Sequence, residues 1–462
     1  MIMESGKQLD SSCCGRPLKV LLFPWIAYGH ITPYLELAKH LSCKNFKIYF
    51  YSTPIILNTI KLNNPILADN ITLLELKLSS HGGDLPPHRH TTTGLPHHLV
   101  PTLFQSFAAS ASTFASVLDS CSPDLVIYDG FQPWVPVDAA SRNIPSVFFL
   151  IIGSSAYSYF YHTVYAYKED TSTPFPFPAI YATEHETKSL KFPWEPGFIF
   201  KGANKSCEII LVNSSEEIDG KYIRYLSELC KKKMVTVGPL INVDEGKDDV
   251  MIMKWLNKKE GRSCLYVSFG SEYYMGKEDL EEMAYGLELS GVNFIWVIRF
   301  PEGGDDKTLS LDEALPSGFL DRVKKRGLIV KKWAPQAWIL RHKNIGGFLS
   351  HCGWNSVLES VQFEVPILAL PMHLDQPAHA RMAVELGIAL EIERDENGKV
   401  QREVVVKTIK AFFGEKKCEE LRAKIKQVNH AIKMRGNKQI DSAVEELTNL
   451  CLNYHHKKLV VT

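Results

Sequence analysis

The feature that most constrains the fold is an alternation of short apolar runs with amphipathic segments, which occurs in both halves of the chain. Runs of this length, separated by segments with helical spacing, predict parallel strands covered by helices, so we expect an α/β fold. The runs read as strands lie at residues 18–25, 46–53, 71–76, 124–129, 147–152 and 209–213, and at 264–270, 293–300, 328–332, 345–350 and 366–370. Helical spacing follows the first run and recurs at 277–290, 356–361, 416–434 and 441–454.

A chain of 462 residues is long enough for two or three domains, and two similar halves fit the pattern best. Gly238, Pro239 and Leu240 lead into a charged, turn-rich segment at 242–249, which predicts a linker between the halves. The cleft beside such a linker is where small ligands usually bind.

Charge and cysteine content limit the partners. The 52 basic residues balance 52 acidic ones, so no overall field attracts nucleic acid or an anionic membrane. Ten scattered cysteines without CxxC spacing indicate free thiols in a reducing compartment, and residues 1–17 lack the apolar run of a signal peptide. The uncharged segment 145–167 is interrupted by glycine, serine and tyrosine, which favours a buried strand followed by a Tyr-rich wall over a membrane span. We expect a cytoplasmic protein.

One stretch, residues 333–376, combines groups suited to a nucleotide sugar. Its centre is an apolar strand, a turn at His351, Cys352 and Gly353, and a helix whose polar side carries His351, Asn355 and Glu359 at four-residue spacing. A helix start of this kind binds anions through its unpaired N–H groups and its dipole, so a diphosphate fits there.

The flanking residues of the same stretch suit the remaining parts of such a ligand. Glu359, one helical turn on, suits a ribose diol, and Trp333 offers a flat face for a base. Asp375 and Gln376, after the next strand, suit sugar hydroxyls. Each residue alone is more often a turn, cap or core residue, and a single strand–helix junction of this kind is a weak signal.

Two strand ends in the first half carry a potential acid–base pair. His30 follows the first strand, and Asp129 ends another strand of the same half. Strands of one parallel sheet end at the same edge, so the carboxylate can orient the imidazole and stabilise its cation. A histidine in a turn is more often structural, so the residues alone favour that reading.

As a set, residues 333–376 resemble the signature box of plant secondary-product glycosyltransferases, family 1 enzymes that use UDP-sugars. The matching residues are Trp333, Pro335, Gln336, His351, Gly353, Trp354, Asn355, Ser356, Glu359, Pro366, Pro371, Asp375 and Gln376. The resemblance covers the whole chain and implies the GT-B architecture, with two Rossmann-like domains facing a cleft. It places an acceptor-binding domain at 1–241, a linker at 242–253, a UDP-sugar-binding domain at 254–435, and a last helix at 436–462 that returns to the first domain.

The resemblance also implies roles. His30 matches the catalytic base of the family and Asp129 its supporting carboxylate, in a direct displacement that inverts the anomeric carbon. The donor would be bound by one residue after the run 264–270 and by residues of the box. These residues are Ser271, Trp333, Ala334, Gln336, His351, Gly353, Trp354, Asn355, Ser356, Glu359, Asp375 and Gln376. No Asp-x-Asp tripeptide occurs, so we expect no metal ion and no cofactor beyond the donor substrate.

Family members that use UDP-glucose carry the residues found here as Trp354 and Gln376, so the resemblance implies glucose as the donor sugar. Pro33 stands where a glucuronosyl-transferring relative has an arginine. Segments 217–226, 269–273, 285–290 and 371–377 resemble the branch that adds a sugar to a natural-product glycoside, so a terpenoid or flavonoid glucoside is the expected acceptor. Two residues depart from the pattern: Ile151 replaces a frequent threonine, and His379 replaces a common asparagine. Either change could alter the choice of sugar or the rate.

Other readings remain. Within the enzyme class, the alternative is glucosylation of a bare aglycone; outside it, a non-catalytic nucleotide-sugar-binding protein would keep the box without needing His30 and Asp129. A dinucleotide oxidoreductase or serine hydrolase would need G-x-G-x-x-G or G-x-S-x-G, and both are absent. The His-rich segment 81–98 lacks cysteine or carboxylate partners at regular spacing, which favours a surface loop bordering the acceptor over a metal site. We expect a monomer.

Overall fold

The computed structural model describes residues 16–64, 66–78, 85–168, 173–189, 197–243, 249–300, 311–331 and 333–461. In the first half of this described chain, seven strands form a parallel sheet in the order β3-β2-β1-β4-β5-β6-β7. The strands are β1 Leu18–Phe23, β2 Phe46–Ser52, β3 Ile71–Glu75, β4 Leu125–Tyr128, β5 Ser146–Leu150, β6 Ile209–Val212 and β7 Lys233–Thr236. The helices around them are α1 Tyr28–Ser42, α2 Pro54–Asn63, α3 Val100–Ala109, α4 Ala111–Cys121, α5 Val135–Ala140, α6 Ser154–Lys168, α7 Glu184–Ser189, α8 Phe198–Lys205 and α9 Glu216–Cys230.

A second parallel sheet follows, with six strands in the described residues and the order β10-β9-β8-β11-β12-β13. Its strands are β8 Cys264–Ser268, β9 Asn293–Val297, β10 Gly327–Val330, β11 Ile345–Ser350, β12 Ile367–Ala369 and β13 Ala389–Glu391. The remaining helices are α10 Val250–Leu256, α11 Lys277–Ser290, α12 Leu311–Ala314, α13 Phe319–Val323, α14 Gln336–Arg341, α15 Trp354–Gln362, α16 Gln376–Glu385, α17 Arg402–Phe413, α18 Glu415–Arg435 and α19 Lys438–Val461.

Each sheet has one point where the strand order reverses, between β1 and β4 in the first and between β8 and β11 in the second. In doubly wound sheets a crevice opens at this point, beyond the carboxyl ends of the two strands. The loops after β1 and β4 therefore face one crevice, and the loops after β8 and β11 face another. His30, Asp129, Ser271 and His351 lie in or directly after these four loops, whereas Trp333 follows β10 and Asp375 follows β12.

The central strands β4, β5, β6, β8 and β11 are buried along their whole length, as expected for parallel strands covered on both faces. The expected α/β fold with two Rossmann-like sheets is thus confirmed. Segment 145–167 forms β5 and most of α6, and no helix in the described residues is long and apolar enough to cross a membrane. Residues 244–248 of the expected linker lie outside the described residues.

The last helix, α19, packs on the first sheet although it follows the second one in the chain. Leu447 and Cys451 are fully buried in the core of the first sheet, and Lys233 on β7 forms an ion pair with Glu446 at 2.6 Å. The chain therefore crosses between the two sheets a second time, after α18.

Candidate active site

A cavity of about 260 Å³ lies between the strand ends of the two sheets. Its walls include His30 together with every residue assigned to the donor from the sequence, namely Ser271, Trp333, Ala334, Gln336, His351, Gly353, Trp354, Asn355, Ser356, Glu359, Asp375 and Gln376. Asp129 lies behind His30, with 4% of its side chain exposed. The residues predicted from separate parts of the chain are thus brought together at one cleft.

His30 and Asp129 form the pair that the strand ends predict. The distance between Nδ1 of His30 and Oδ2 of Asp129 is 2.6 Å. A carboxylate accepts hydrogen bonds, so Nδ1 carries the proton and Nε2 of the neutral ring is the basic atom. Burial alone would lower the pKa of His30, but the charge and hydrogen bond of Asp129, reinforced by Glu272 and Asp375, outweigh it and raise the pKa.

The backbone beneath this pair is held by Gln132, a residue that the sequence analysis did not identify. Its Nε2 donates to the carbonyl of Phe23 at the end of β1 (3.1 Å), and its Oε1 accepts from the N–H of Asp129 (3.2 Å). The side chain is fully buried. One amide therefore fixes the spacing between the two strand ends that carry His30 and Asp129.

The turn before α15 is shaped to receive an anion. Gly353 is the N-cap of α15 and makes no side-chain cap, and Cys352 has a left-handed backbone with φ of 63°. Gly270, in the facing loop after β8, has φ of 81°, and a Cβ there would lie 2.6 Å from Nε2 of His351. The two loops can approach this closely only because position 270 is a glycine. Ser271 and Asn355 flank the same opening.

His351 contributes no positive charge to this opening. Burial, followed by the proximity of His373 and His379, lowers the pKa of His351 to about 3, so the ring is neutral at physiological pH. A neutral imidazole can donate a hydrogen bond to a phosphate oxygen, while attraction for the negative charge falls to the helix start.

At one end of the cavity, Trp333 is 44% exposed and lies between two residues that the sequence analysis missed. The guanidinium of Arg299 is 4.8 Å from its ring centroid, and the ring of Tyr28 meets it edge-on at 4.8 Å. Arg299 closely follows β9, so a search of all strand ends would have found it. This pair leaves Trp333 fixed as a flat surface for a base.

Gln336, just beyond Trp333, orients the acidic group of the site. Its Nε2 donates to Oε2 of Glu359 at 2.6 Å and lies 3.1 Å from Oγ of Ser356. The carboxylate of Glu359 is held in place by this contact and lines the cavity, as a ribose-binding group requires.

At the other end, Asp375 and Gln376 begin α16. Oε1 of Gln376 accepts from the N–H groups of Met372 (3.0 Å) and His373 (3.1 Å), so the side chain can offer a ligand only its amide donors. Ile151, one of the two departures noted in the sequence, also lines this part of the cavity. His379, the other departure, is fully buried behind it.

An aromatic wall lies next to His30, and its residues were not predicted. Phe131 meets the imidazole edge-on at 5.5 Å and stacks on Trp25 at 4.8 Å. Phe104 packs against both Trp25 (5.9 Å) and Phe198 (5.5 Å). These side chains come from four separate segments without a shared periodicity, which explains why no sequence signal revealed the wall.

Within the described residues, no group of three or more His, Cys, Asp or Glu side chains could hold a metal ion. In the His-rich segment, Nε2 of His90 contacts the carbonyl of Leu85 at 2.9 Å, and His88 is exposed. His81 lies outside the described residues. Nearby, Thr92 donates to Glu272 of the cavity wall at 2.5 Å, so this loop borders the cleft.

Two family models cover most of the chain. Residues 17–242 match the model described as "Glycosyltransferase, N-terminal domain", and residues 232–434 match "UDP-glucoronosyl and UDP-glucosyl transferase". Together with the doubly wound sheets and the cleft, these matches define the class: the chain belongs to the UDP-glycosyltransferase family and is a UDP-glycosyltransferase.

The individual proteins to which the chain is similar include several from plants. The chain is 45% identical to a mogroside IIIx synthase of Siraitia grosvenorii over 451 residues, covering 94% of this chain and 98% of the relative. It is 44% identical to a beta-D-glucosyl crocetin beta-1,6-glucosyltransferase of Gardenia jasminoides over 443 residues, or 93% and 98% of the two chains. The crystal structure of Glycyrrhiza uralensis UGT73P12 complexed with glycyrrhetinic acid 3-O-monoglucuronide superposes with a TM-score of 0.82 at 25% identity, covering 96% and 98%.

Proposed function

We propose that this chain transfers glucose from UDP-glucose, with inversion and without a metal ion, to a sugar hydroxyl of a terpenoid or flavonoid glycoside. The observation that carries the proposal is the convergence of His30 and Asp129 with the donor-box residues on one cavity. An acid–base pair faces the acceptor side, and an anion-binding helix start faces the donor side.

In the proposed reaction, Nε2 of His30 removes the proton of the acceptor hydroxyl as its oxygen attacks the anomeric carbon. A new carbon–oxygen bond forms while the bond from the anomeric carbon to the β-phosphate oxygen breaks, and UDP leaves with the electron pair. Asp129 stabilises the imidazolium that results. The N–H groups at the start of α15, with Ser271, Asn355 and Ser356, stabilise the charge on the departing diphosphate.

The acceptor class is supported by the names of the relatives and by the side chains around His30 and Glu272. One relative is named for a glucosyl crocetin and another for a mogroside, and one solved neighbour is complexed with a monoglucuronide. In this chain, the aromatic wall around Phe131 suits an apolar aglycone, whereas Glu272 and Thr92 offer hydrogen-bonding groups for sugar hydroxyls. A glycoside presents both kinds of surface.

The first experiment offers purified protein UDP-glucose with two matched acceptor pairs, a flavonoid and a triterpenoid, each as aglycone and as monoglucoside. Products are followed by mass spectrometry. We expect a gain of one hexose on a monoglucoside and little on its aglycone. Transfer to the aglycone alone would contradict chain extension and leave a general glucosyltransferase. The same reaction with EDTA should proceed at an unchanged rate if no metal ion takes part.

His30→Ala tests the role of the base. Turnover should fall by about 10²–10⁴-fold, the usual contribution of a general base, while the affinity for UDP stays unchanged. His430→Ala, which alters an exposed histidine on α18, is the matched control and should be fully active. Equal turnover of both variants would favour a different base.

The cellular setting is part of the proposal. The cysteines described in the structure form no disulfide with one another, in agreement with a reducing compartment, and on this basis we propose a cytoplasmic protein. We propose separately that it acts as a monomer. Size-exclusion chromatography with light scattering at micromolar concentration would contradict the monomer by giving twice the chain mass of 52.2 kDa.

A further inference from the structure

His379 connects the two domains directly behind the residues that begin α16. Its Nε2 accepts a hydrogen bond from the N–H of Gly153, in the turn after β5 of the first sheet, at 3.0 Å. The approach is close, since a Cβ on Gly153 would lie 2.8 Å from the His379 ring and 2.7 Å from Trp354. The Trp354 ring lies 4.9 Å from that of His379 at a tilt of 42°, and its Nε1 donates to the carbonyl of Asn213, directly after β6.

These contacts determine the tautomer of His379. A backbone N–H can only donate, so Nε2 must be unprotonated and Nδ1 must carry the hydrogen. Burial lowers the pKa of His379, in agreement with a neutral ring. The Nδ1–H group lies 3.2 Å from the carbonyl of Cys352 and 3.5 Å from Oδ2 of Asp375.

Asp375 therefore has an imidazole N–H on its buried side and the cleft on the other. It precedes His379 by four residues, one turn of α16, and 21% of its side chain is exposed. We propose that His379 is a positioning residue: Nδ1–H donates to Cys352, and the positive edge of the ring, 3.5 Å from Oδ2, orients the Asp375 carboxylate for the donor sugar and ties it to the Gly153 turn. The inference rests on the proposed function, because the donor-sugar role of Asp375 belongs to it.

Two substitutions of His379 test the roles of its two ring nitrogens separately. Asparagine places its amide where histidine carries Nδ1, so His379→Asn keeps a donor toward Cys352 and Asp375 but loses the acceptor for Gly153. Glutamine places its amide where histidine carries Nε2, so His379→Gln keeps the acceptor and loses the donor.

The experiment measures KM for UDP-glucose, kcat, and the Kd of UDP for wild type and both variants. We expect H379Q to raise KM about tenfold, because the Asp375 carboxylate loses the N–H dipole beside it. H379N should stay within about twofold of wild type, and the Kd of UDP, which lacks the sugar, should not change in either variant. A KM raised equally in both variants, or a Kd of UDP that rises with it, would overturn the inference.

Combining H379Q with Asp375→Asn tests whether His379 acts through Asp375. The double variant should be no worse than Asp375→Asn alone, whereas additive losses would show an independent role. If thermal melting shows that H379Q is unfolded, the test uses H379N alone. A raised KM of H379N would contradict the proposal, and a KM equal to that of wild type would support it. Wild-type protein without turnover would contradict the proposed function, whereas an active wild type with an unimpaired H379Q overturns only this inference.

Discussion

At the scale of single residues, the ionisation of the two cleft histidines differs because their partners differ. His30 has a buried carboxylate at 2.6 Å, and its pKa is raised. His351 has burial and other imidazoles around it, and its pKa falls to about 3. A base needs affinity for a proton, whereas a phosphate-binding imidazole in a helix-start site can act through a hydrogen bond alone. In the proposed mechanism, the cleft therefore separates proton transfer from anion binding.

Asp129→Asn should reveal this dependence in the pH profile. Asp129 raises the pKa of His30, so its neutral replacement lowers that pKa. The base acts in its neutral form, so the acid limb of kcat/KM should move to lower pH. The plateau should fall by about 10²–10⁴-fold, because the imidazolium loses its counter-charge and the tautomer is no longer fixed.

The control for this variant is Asp119→Asn, which removes an exposed carboxylate paired with Arg142 on the surface. Its pH profile should match that of wild type. An Asp129→Asn enzyme with an unshifted acid limb would mean that another group controls the limb.

At the scale of elements, the loops that follow the strands decide how closely the site can be assembled. Gly270→Ala forces a Cβ to within 2.6 Å of the His351 ring at a φ of 81°. The left-handed backbone alone costs about 1–2 kcal/mol for a residue with a Cβ. We expect UDP affinity to fall at least about tenfold as the loop moves away from α15.

Isothermal titration with UDP measures this loss. Gly261→Ala is the matched control, because a Cβ there meets nothing within 4 Å and the position is exposed. It should bind UDP as wild type does. Normal UDP binding by Gly270→Ala would show that the loop can relax without disturbing the anion site.

The ends of the strands show which parts of the fold could be predicted from the sequence. Apolar runs predicted the strands, but the run 18–25 continues beyond β1, which ends at Phe23, because Trp25 is buried without joining the sheet. An apolar pattern reports burial and does not report pairing. Conversely, β7 and β13 were not predicted: they are short, partly exposed edge strands without a continuous apolar run.

Prediction of the site followed the same logic. The donor residues from 333 to 376 could be named because they lie in one contiguous stretch whose spacing carries information. Gln132 could not, because it acts on Phe23, which is distant in sequence. Arg299 lies near a strand end, but the sequence does not show its contact with Trp333. Contacts of this kind depend on tertiary convergence, which a single sequence does not encode in local periodicity.

At the scale of the whole molecule, the two sheets are joined by more than the linker. Arg381 on α16 pairs with Glu186 of α7 at 2.8 Å, and Glu385 on α16 accepts from Tyr222 of α9 at 2.6 Å. Together with the His379 contact, these contacts lie along α16, the helix that begins directly after Asp375. The orientation of the domains and the geometry of the donor end are therefore coupled.

The helix α19 makes a second link between the two domains, so weakening its packing should destabilise the first domain. Leu447 is fully buried against the first sheet, so Leu447→Ala should lower the free energy of unfolding by about 2–5 kcal/mol. Urea denaturation measures the change, with Glu445→Ala, an exposed change on the same helix, as the control that should match wild type.

Because α16 couples the domains, UDP at about 100 times its Kd should restore about 2.7 kcal/mol to the free energy of unfolding of Leu447→Ala. A transition of the variant that UDP does not move would mean that the first domain unfolds independently of the donor site.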